Sequence, residues 1–216
     1  MKKRITLLEA IQIDTEKHKI IAVVGAGGKT TLIYTLALEL KKTGKKVVVT
    51  TTTHMISKDC EGIITVGVPC KDSEKIKGLG EKEFDELKIT YDIILVEADG
   101  SHKLPMKVPE SYEPVIPKDA DLVIGILGAA AIGHPLYKVC QRYQLAEEIL
   151  KVKKEHIVTA EDLVMLLKSK QGQKKNVTTD YRMVIGQGDL LKKKVVSKDI
   201  VVLSFGKRVE ECEHEN

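Results

Sequence analysis

The sequence of 216 residues contains no tryptophan and only two phenylalanines. Proteins that bind single-stranded nucleic acid stack the bases on aromatic side chains, and this chain has few residues that could form such a platform. Its net charge of +4 comes from 35 basic against 31 acidic residues, which is a weak excess. We therefore expect no nucleic-acid partner.

Cysteine pairs and long apolar runs are also missing. The four cysteines form neither a CxxC pair nor a zinc-binding spacing: Cys60, Cys70, Cys140 and Cys212. No run approaches the roughly 18 apolar residues of a membrane-spanning helix. The basic start is followed by a stretch that includes Glu9 and Gln12, which does not resemble a signal peptide. We expect a cytoplasmic protein with reduced thiols and no membrane partner.

What is present is the composition of a globular chain, with 43% hydrophobic and 31% charged residues. The patterns of apolar residues predict alternating strands and helices. The predicted strands are 19–24, 46–52, 63–66, 92–96, 121–127, 181–185 and 200–203. The predicted helices are 5–17, 29–42, 81–88, 144–151 and 160–168, and the polar segment 170–179 is predicted to be a mobile loop.

This alternation is typical of an α/β protein with three layers, in which a mostly parallel sheet carries helices on both faces. The length predicts one domain over residues 1–216. Its core is expected at about 19–135, and a helical, basic C-terminal part at about 140–216.

A glycine-rich segment links the first buried strand to the following helix. It consists of Gly25, Ala26, Gly27, Gly28, Lys29, Thr30 and Thr31. Such a loop turns its backbone N–H groups toward phosphates, and the helix N-terminus adds partial positive charge. Lys29 is expected at the β- and γ-phosphates, Thr30 on Mg²⁺ and Thr31 at the α-phosphate. The segment predicts a P-loop that binds ATP or GTP with Mg²⁺.

The spacing departs from the commonest P-loop pattern, which would need glycine where this chain has Val23. It is closer to the shorter G-x-x-G-K-T-T form of the Mur-type ligases. A glycine-rich turn without a ligand is the alternative, and the Lys-Thr-Thr run after a strand disfavours it.

Two further strand ends carry polar residues. Ligands of parallel α/β sheets bind beyond the carboxyl ends of the strands. The second strand runs into Thr52, Thr53 and His54, of which Thr52 is a candidate Mg²⁺ ligand and the other two are candidates for substrate or switch contacts. Their alternative interpretation is purely structural, because threonine is a common strand residue.

The strand at 92–96 runs into Glu97 and Asp99. A carboxylate at such a strand end can bind Mg²⁺ or orient a water for attack on a phosphate. We assign Glu97 to the metal and both carboxylates, together with Lys29, to catalysis. The sequence does not decide which carboxylate holds the metal and which acts as the base.

A proline-rich loop follows, with Lys103 and Lys107 near the expected metal. These lysines are candidates for recognising an anionic substrate or for neutralising the transferred charge. A solvated basic loop is the alternative. Arg142 is a candidate charge finger, but the interpretation as an ordinary surface arginine is favoured.

These segments together resemble the YqeC family, the accessory proteins of selenium-dependent molybdenum hydroxylases. The resemblance is carried by VVGAGGKTTL, VVVTTTTHM, ILVEADGSHKLPMKVPESYEPVIP, DLVIGILG and YQLAEEIL, which cover most of residues 20–150. It implies a P-loop NTPase fold and a role in making or inserting a selenium-modified molybdenum cofactor. The implied partners are a molybdenum hydroxylase or a cofactor-maturation protein.

The resemblance also implies an Asn-x-x-Asp element that reads the base, as in GTPases. The corresponding segment here is Gly186-Gln187-Gly188-Asp189. Asp189 is therefore a candidate for contact with a guanine edge, but the expected asparagine is absent. The choice between ATP and GTP stays open.

Three functions fit these features. The first is an enzyme that moves a phosphoryl group from the nucleotide to water or to an anionic acceptor, including a Mur-type ligase acting on a small acid. The second is a nucleotide-switched chaperone with slow hydrolysis. The third is a non-catalytic protein that binds a nucleotide or a pterin.

Overall fold

The computed structural model describes residues 5–56, 60, 62–71, 74–100, 103–191 and 199–204. The strands of these ranges are β1 Ile20–Gly25, β2 Val47–Thr51, β3 His54–Ile56, β4 Ile64–Thr65, β5 Val68–Pro69, β6 Lys75–Lys77, β7 Ile93–Glu97, β8 Met106–Lys107, β9 Leu122–Gly128, β10 Cys140–Gln141, β11 Asp180–Gly186 and β12 Ile200–Val202. The α-helices are α1 Leu7–Ile11, α2 Lys29–Lys42, α3 Glu81–Thr90, α4 Leu136–Val139, α5 Tyr143–Leu150 and α6 Ala160–Lys168. Short 3₁₀ helices cover Ala129–Ala131 and Gly188–Leu190.

The main sheet of the described chain has seven strands in the order β12-β11-β9-β1-β7-β2-β4, and every neighbouring pair is parallel. From β1 the chain builds one side of the sheet, returns to β7, and then crosses to β9 on the other side. Strand β1 thus lies at the switch point where ligands of such sheets bind.

Helices cover both faces of this sheet. Val23 of β1 shares a buried cluster with Leu32 and Leu36 of α2. On the opposite face, Leu87 of α3 packs with Ile94 of β7, and α6 packs against β9 and β11. Neighbouring strand residues point to opposite faces, so fully apolar strands need cover on both sides. The predicted three-layer α/β fold is confirmed.

Helix α1 is shorter than the predicted helix over 5–17. It ends at Ile11 because Gln12 adopts a left-handed conformation with φ of 59°. The Arg182 guanidinium then donates to the backbone oxygens of Ile11 and Gln12, at 3.1 Å and 3.5 Å. A distant side chain thus satisfies carbonyls that a longer helix would have used internally.

The polar segment 170–179, predicted to be mobile, is instead packed against the protein. Gln173 is buried, and its side chain donates to the backbone oxygen of Lys107 at 2.6 Å. The Lys175 ammonium donates to the Glu110 oxygen, also at 2.6 Å. Polar composition alone suggested a loose loop, but these groups bond to backbone oxygens of another loop.

Two small sheets were not predicted. Strands β3, β6 and β5 form an antiparallel sheet, and β10 pairs with β8. Each of these strands has only two or three residues, which is too short for a periodic pattern. No helix in the described ranges is both long and apolar enough to cross a membrane.

Candidate active site

The glycine-rich loop follows β1 and is fixed by contacts to neighbouring strands. Gly25, Gly27 and Gly28 have φ values of 107°, 73° and 128°, in the left-handed region where other residues are strained. A Cβ on Gly27 would lie 2.6 Å from the Pro105 oxygen and would overlap Gly128. These glycines are therefore required by backbone packing before any ligand is considered.

The loop divides its backbone N–H groups between the protein and the cleft. Gly25 N–H donates to both carboxylate oxygens of Asp99, at 2.9 Å and 3.1 Å, and Ala26 N–H donates to the Ile126 oxygen. The amides of residues 27–31 have no hydrogen-bond partner in the part of the chain that the structure describes. Unpartnered amides at a helix N-terminus are the kind of group that binds anions in other proteins.

Lys29 begins α2, and its side chain folds back over the loop. Its ammonium donates to the Gly25 oxygen at 2.7 Å and pairs with Asp99 at 3.1 Å. The residue is only 4% exposed, although it lines the cleft. A buried charge needs such partners, and they hold the ammonium beside the amides.

Glu97 and Asp99 have different environments. Glu97 ends β7, lines the cleft and accepts a hydrogen bond from the Thr30 hydroxyl at 3.0 Å. Burial raises the pKa of Glu97 above its ordinary value of 4.5. Asp99 is fully buried and does not line the cleft. The arrangement gives Glu97 access to a ligand, whereas Asp99 positions the loop and Lys29.

Asp99 is also the start of a chain of ion pairs. The Lys107 ammonium contacts Asp99 at 3.2 Å and Glu113 at 2.9 Å, and donates to the Gly100 oxygen at 2.6 Å. The Arg142 guanidinium continues the chain to Glu113 at 2.8 Å. Burial acts to raise the pKa of Glu113, but the hydrogen bond and charge of Lys107 outweigh it and hold that pKa below its ordinary value.

The threonines at the end of β2 and directly after it have separate roles. Thr51 donates to the Glu97 backbone oxygen at 2.8 Å, and Thr52 donates to the Val115 oxygen at 2.7 Å. Thr52 does not line the cleft, while Thr53 and His54 do. The side-chain oxygen of Thr53 is buried and has no partner among the described residues.

The cleft at the carboxyl ends of the strands has a volume of about 1070 Å³. Residues 27–31 and Glu97 form one part of its wall, and Lys103, Gln141, Arg142 and Gln187 form another. Lys107, which the sequence grouped with Lys103, does not line it and is fully buried. A second cavity of about 1190 Å³ between α5 and α6 lacks a phosphate-binding loop, so we place the site in the first.

Other residues differ from their sequence interpretation. Arg142 is not an ordinary surface residue, because its side chain is 20% exposed and bonded to Glu113. Asp189 is exposed in a 3₁₀ helix and does not line the cleft, whereas Gln187 does. Gln141 and Gln187 were missed, since glutamine carries no charge; Gln187 lies in the segment compared with Asn-x-x-Asp, but only Asp189 was singled out there.

The fold and the site define the class of this protein. It is a three-layer α/β protein with a glycine-rich loop at the switch point of a parallel sheet. The YqeC protein family model matches residues 21–144, and the chain belongs to this family. An uncharacterized protein YqeC from Escherichia coli (strain K12) is 32% identical over 204 residues, covering 81% of this chain and 78% of the relative. No solved structure matches the chain.

Proposed function

We propose that the protein binds ATP or GTP with Mg²⁺ and moves the γ-phosphoryl group to water or to an acceptor. The observation that carries this is the set of five unpartnered amides at residues 27–31, beside the Lys29 ammonium. Backbone N–H groups at a helix N-terminus and a lysine are the groups that bind polyphosphates in other α/β sheets.

The Thr30 hydroxyl and the Glu97 carboxylate fit a nucleotide-borne Mg²⁺. They are 3.0 Å apart, and both line the cleft. Mg²⁺ takes oxygen ligands and needs only one or two from the protein, because phosphates and waters provide the rest. When bound, it would supply neutralisation of the phosphate charge. Positive charge near Glu97 would also favour its ionised form, which burial alone disfavours.

The protein groups divide the work as follows. The loop amides and Lys29 bind and orient the phosphates, and Lys29 neutralises charge that develops on the transferred group. Asp99 holds Lys29 and the first loop amide in place. Glu97 is the carboxylate that reaches the cleft, and it can orient an attacking water or hold the metal.

Lys29→Ala tests the nucleotide site. We expect the affinity for ATP or GTP with Mg²⁺ to fall at least about tenfold in titration calorimetry, because charge-assisted bonds to phosphate are lost. Lys42→Ala, on the exposed end of the same helix, is the matched control. Unchanged affinity in a folded Lys29→Ala protein would contradict the assignment.

Turnover is measured in the same preparations as release of inorganic phosphate. Glu97→Gln should keep the nucleotide and lower release at least about a hundredfold, the range expected for a positioned carboxylate. Release that rises only with a partner protein would favour the nucleotide switch, and release that rises with a small acid would favour the ligase.

We further propose that this activity serves the maturation of a selenium-dependent molybdenum hydroxylase or of its cofactor. Support comes from family membership and from the resemblance of the segments quoted above. The test is hydroxylase activity in cells that carry either the wild-type chain or the Lys29→Ala variant. Equal activity in both would contradict the accessory role of the phosphate site.

A further inference from the structure

The part of the cleft wall formed by Lys103, Gln141, Arg142 and Gln187 lies close to the glycine-rich loop. The Pro105 oxygen accepts the Gly128 N–H at 2.8 Å, and a Cβ on Gly27 would touch that same oxygen. Strand β8 begins at the next residue and pairs with β10, which ends at Gln141. Paired strands are about 4.8 Å apart. Gln141 and Arg142 therefore lie near Pro105 and the glycine-rich loop that it contacts.

Two buried oxygens on the cleft wall have no hydrogen-bond partner among the described residues. They are the side-chain oxygens of Thr53 and Gln141. A buried polar atom without a partner costs about 1–3 kcal/mol, and such atoms are uncommon in folded proteins. An O–H or N–H group of a ligand near β10 would satisfy the Gln141 oxygen.

The part of the wall that holds Gln141 also carries two cationic side chains. Lys103 lines the cleft, is exposed and makes no ion pair with any described residue. Arg142 also lines it, but it is paired with Glu110 at 3.3 Å and with Glu113 at 2.8 Å. An anionic group therefore gains a cation at Lys103 without displacing an internal ion pair.

Three residues of this wall have a left-handed backbone conformation, which is strained for residues other than glycine. Lys103, Arg142 and Gln187 all line the cleft and have φ values of 62°, 61° and 58°. A non-glycine residue in this region costs about 1–2 kcal/mol, and such costs concentrate at ligand sites.

We infer that this wall binds a second ligand beside the nucleotide, a small acid that also carries O–H or N–H groups. Lys103 attracts its carboxylate or phosphate, while the Gln141 oxygen accepts its hydrogen bond. This inference rests on the proposed function, because it places the ligand next to a bound nucleotide.

The test is titration calorimetry on protein loaded with Mg²⁺ and a non-hydrolysable analogue of the preferred nucleotide. The probes are malate, glycerol 3-phosphate, succinate without a hydroxyl, and uncharged glycerol. We expect malate or glycerol 3-phosphate to bind more tightly than succinate and glycerol. Whichever of the two binds better shows whether the site prefers a carboxylate or a phosphate.

Two substitutions locate the binding. Lys103→Ala and Gln141→Leu should each weaken the better probe about fivefold or more, the effect of one lost hydrogen bond or ion pair. The matched controls are Lys153→Ala and Gln144→Leu, two exposed residues that do not line the cleft. They should bind the probe as the wild type does.

Two results overturn the inference while the nucleotide still binds. One is that neither acid binds at about 10 mM, or that glycerol binds as tightly as the acids. The other is that the acids bind Lys103→Ala and Gln141→Leu as tightly as the controls. If the nucleotide analogue itself fails to bind the wild type, the proposed function has failed, and that result is distinct from both.

Discussion

At the scale of single residues, two carboxylates two positions apart do different work because their surroundings differ. Glu97 accepts a hydrogen bond from the Thr30 hydroxyl and reaches the cleft. Asp99 is enclosed by two ammonium groups and a backbone amide. A residue that is buried with little compensating charge is kept at a cost to stability. Glu97 is such a residue, because its burial raises its pKa despite the hydrogen bond from Thr30.

Glu97→Gln should therefore stabilise the protein in a pH-dependent way. The pKa of Glu97 in the folded state lies above the ordinary value of 4.5, so its contribution to stability is full below pH 4.5. That contribution is lost as pH rises through the raised folded-state pKa. Glutamine stays neutral and can still accept the hydrogen bond from Thr30. The melting temperature of the Glu97→Gln protein should therefore exceed that of the wild type at pH 8.

Thermal unfolding without nucleotide, at pH 4 and pH 8, checks this prediction. The gain at pH 8 should be larger than any difference at pH 4. Glu86→Gln, at an exposed position of α3, is the control and should show no such dependence. The same gain at both pH values would mean that the carboxylate charge is not the cause.

Residue type and spacing placed Glu97 and Lys103 on the cleft wall, but they could not separate Lys103 from Lys107. Both lysines lie in one proline-rich loop, yet Lys107 pairs with Asp99 and Glu113 in the interior. The position of Arg142 depends on Glu113, which lies 29 residues away. Such partners are brought together by the tertiary fold, so local sequence does not identify them.

At the scale of elements, the long apolar strands and helix α2 were predictable because burial on both faces demands continuous apolar residues. Helix α2 begins and ends where the sequence pattern predicted, at Lys29 and Lys42. Strands β3, β5 and β6 carry mostly exposed residues and pair only locally. These strands form because neighbouring segments pair with them. A pattern of two or three residues is too short to predict such pairing.

The glycine-rich loop after β1 depends on its glycines for packing. Gly27→Ala tests this dependence. The new methyl group would overlap Gly128, and φ of 73° strains any other residue. We expect a loss of about 2–4 kcal/mol in the free energy of unfolding, from steric overlap and backbone strain. Urea unfolding without nucleotide measures it.

Gly100→Ala is the matched control for Gly27→Ala. A Cβ at Gly100 meets no atom of the described residues within 4 Å, so its methyl group should be tolerated. The two variants should therefore differ clearly in their urea midpoints. Similar midpoints would show that the loop can shift away from β9, and that its glycines serve the ligand alone.

At the scale of the whole molecule, the chain of ion pairs joins parts of the structure that are far apart in sequence. Asp99 follows β7, Lys107 ends β8, Glu113 lies in the loop before β9, and Arg142 follows β10. Asp99 also pairs with Lys29 of the glycine-rich loop, and the chain ends at Arg142, which lines another part of the cleft wall. Both walls of the cleft are therefore fixed to one set of buried charges.

Lys107→Met should reveal this role. Lys107 is fully buried between two carboxylates, and removing one partner of a buried ion pair costs about 3–5 kcal/mol, because the remaining charges stay buried. Lys103→Met is the matched variant in the same loop, where a change at an exposed site should cost less than about 0.5 kcal/mol. Urea unfolding at pH 7 compares the two. If Lys107→Met were as stable as Lys103→Met, the ion pairs would contribute nothing to joining the cleft walls, and Lys107 would have to be kept for another reason, such as the substrate contact first suggested by its sequence.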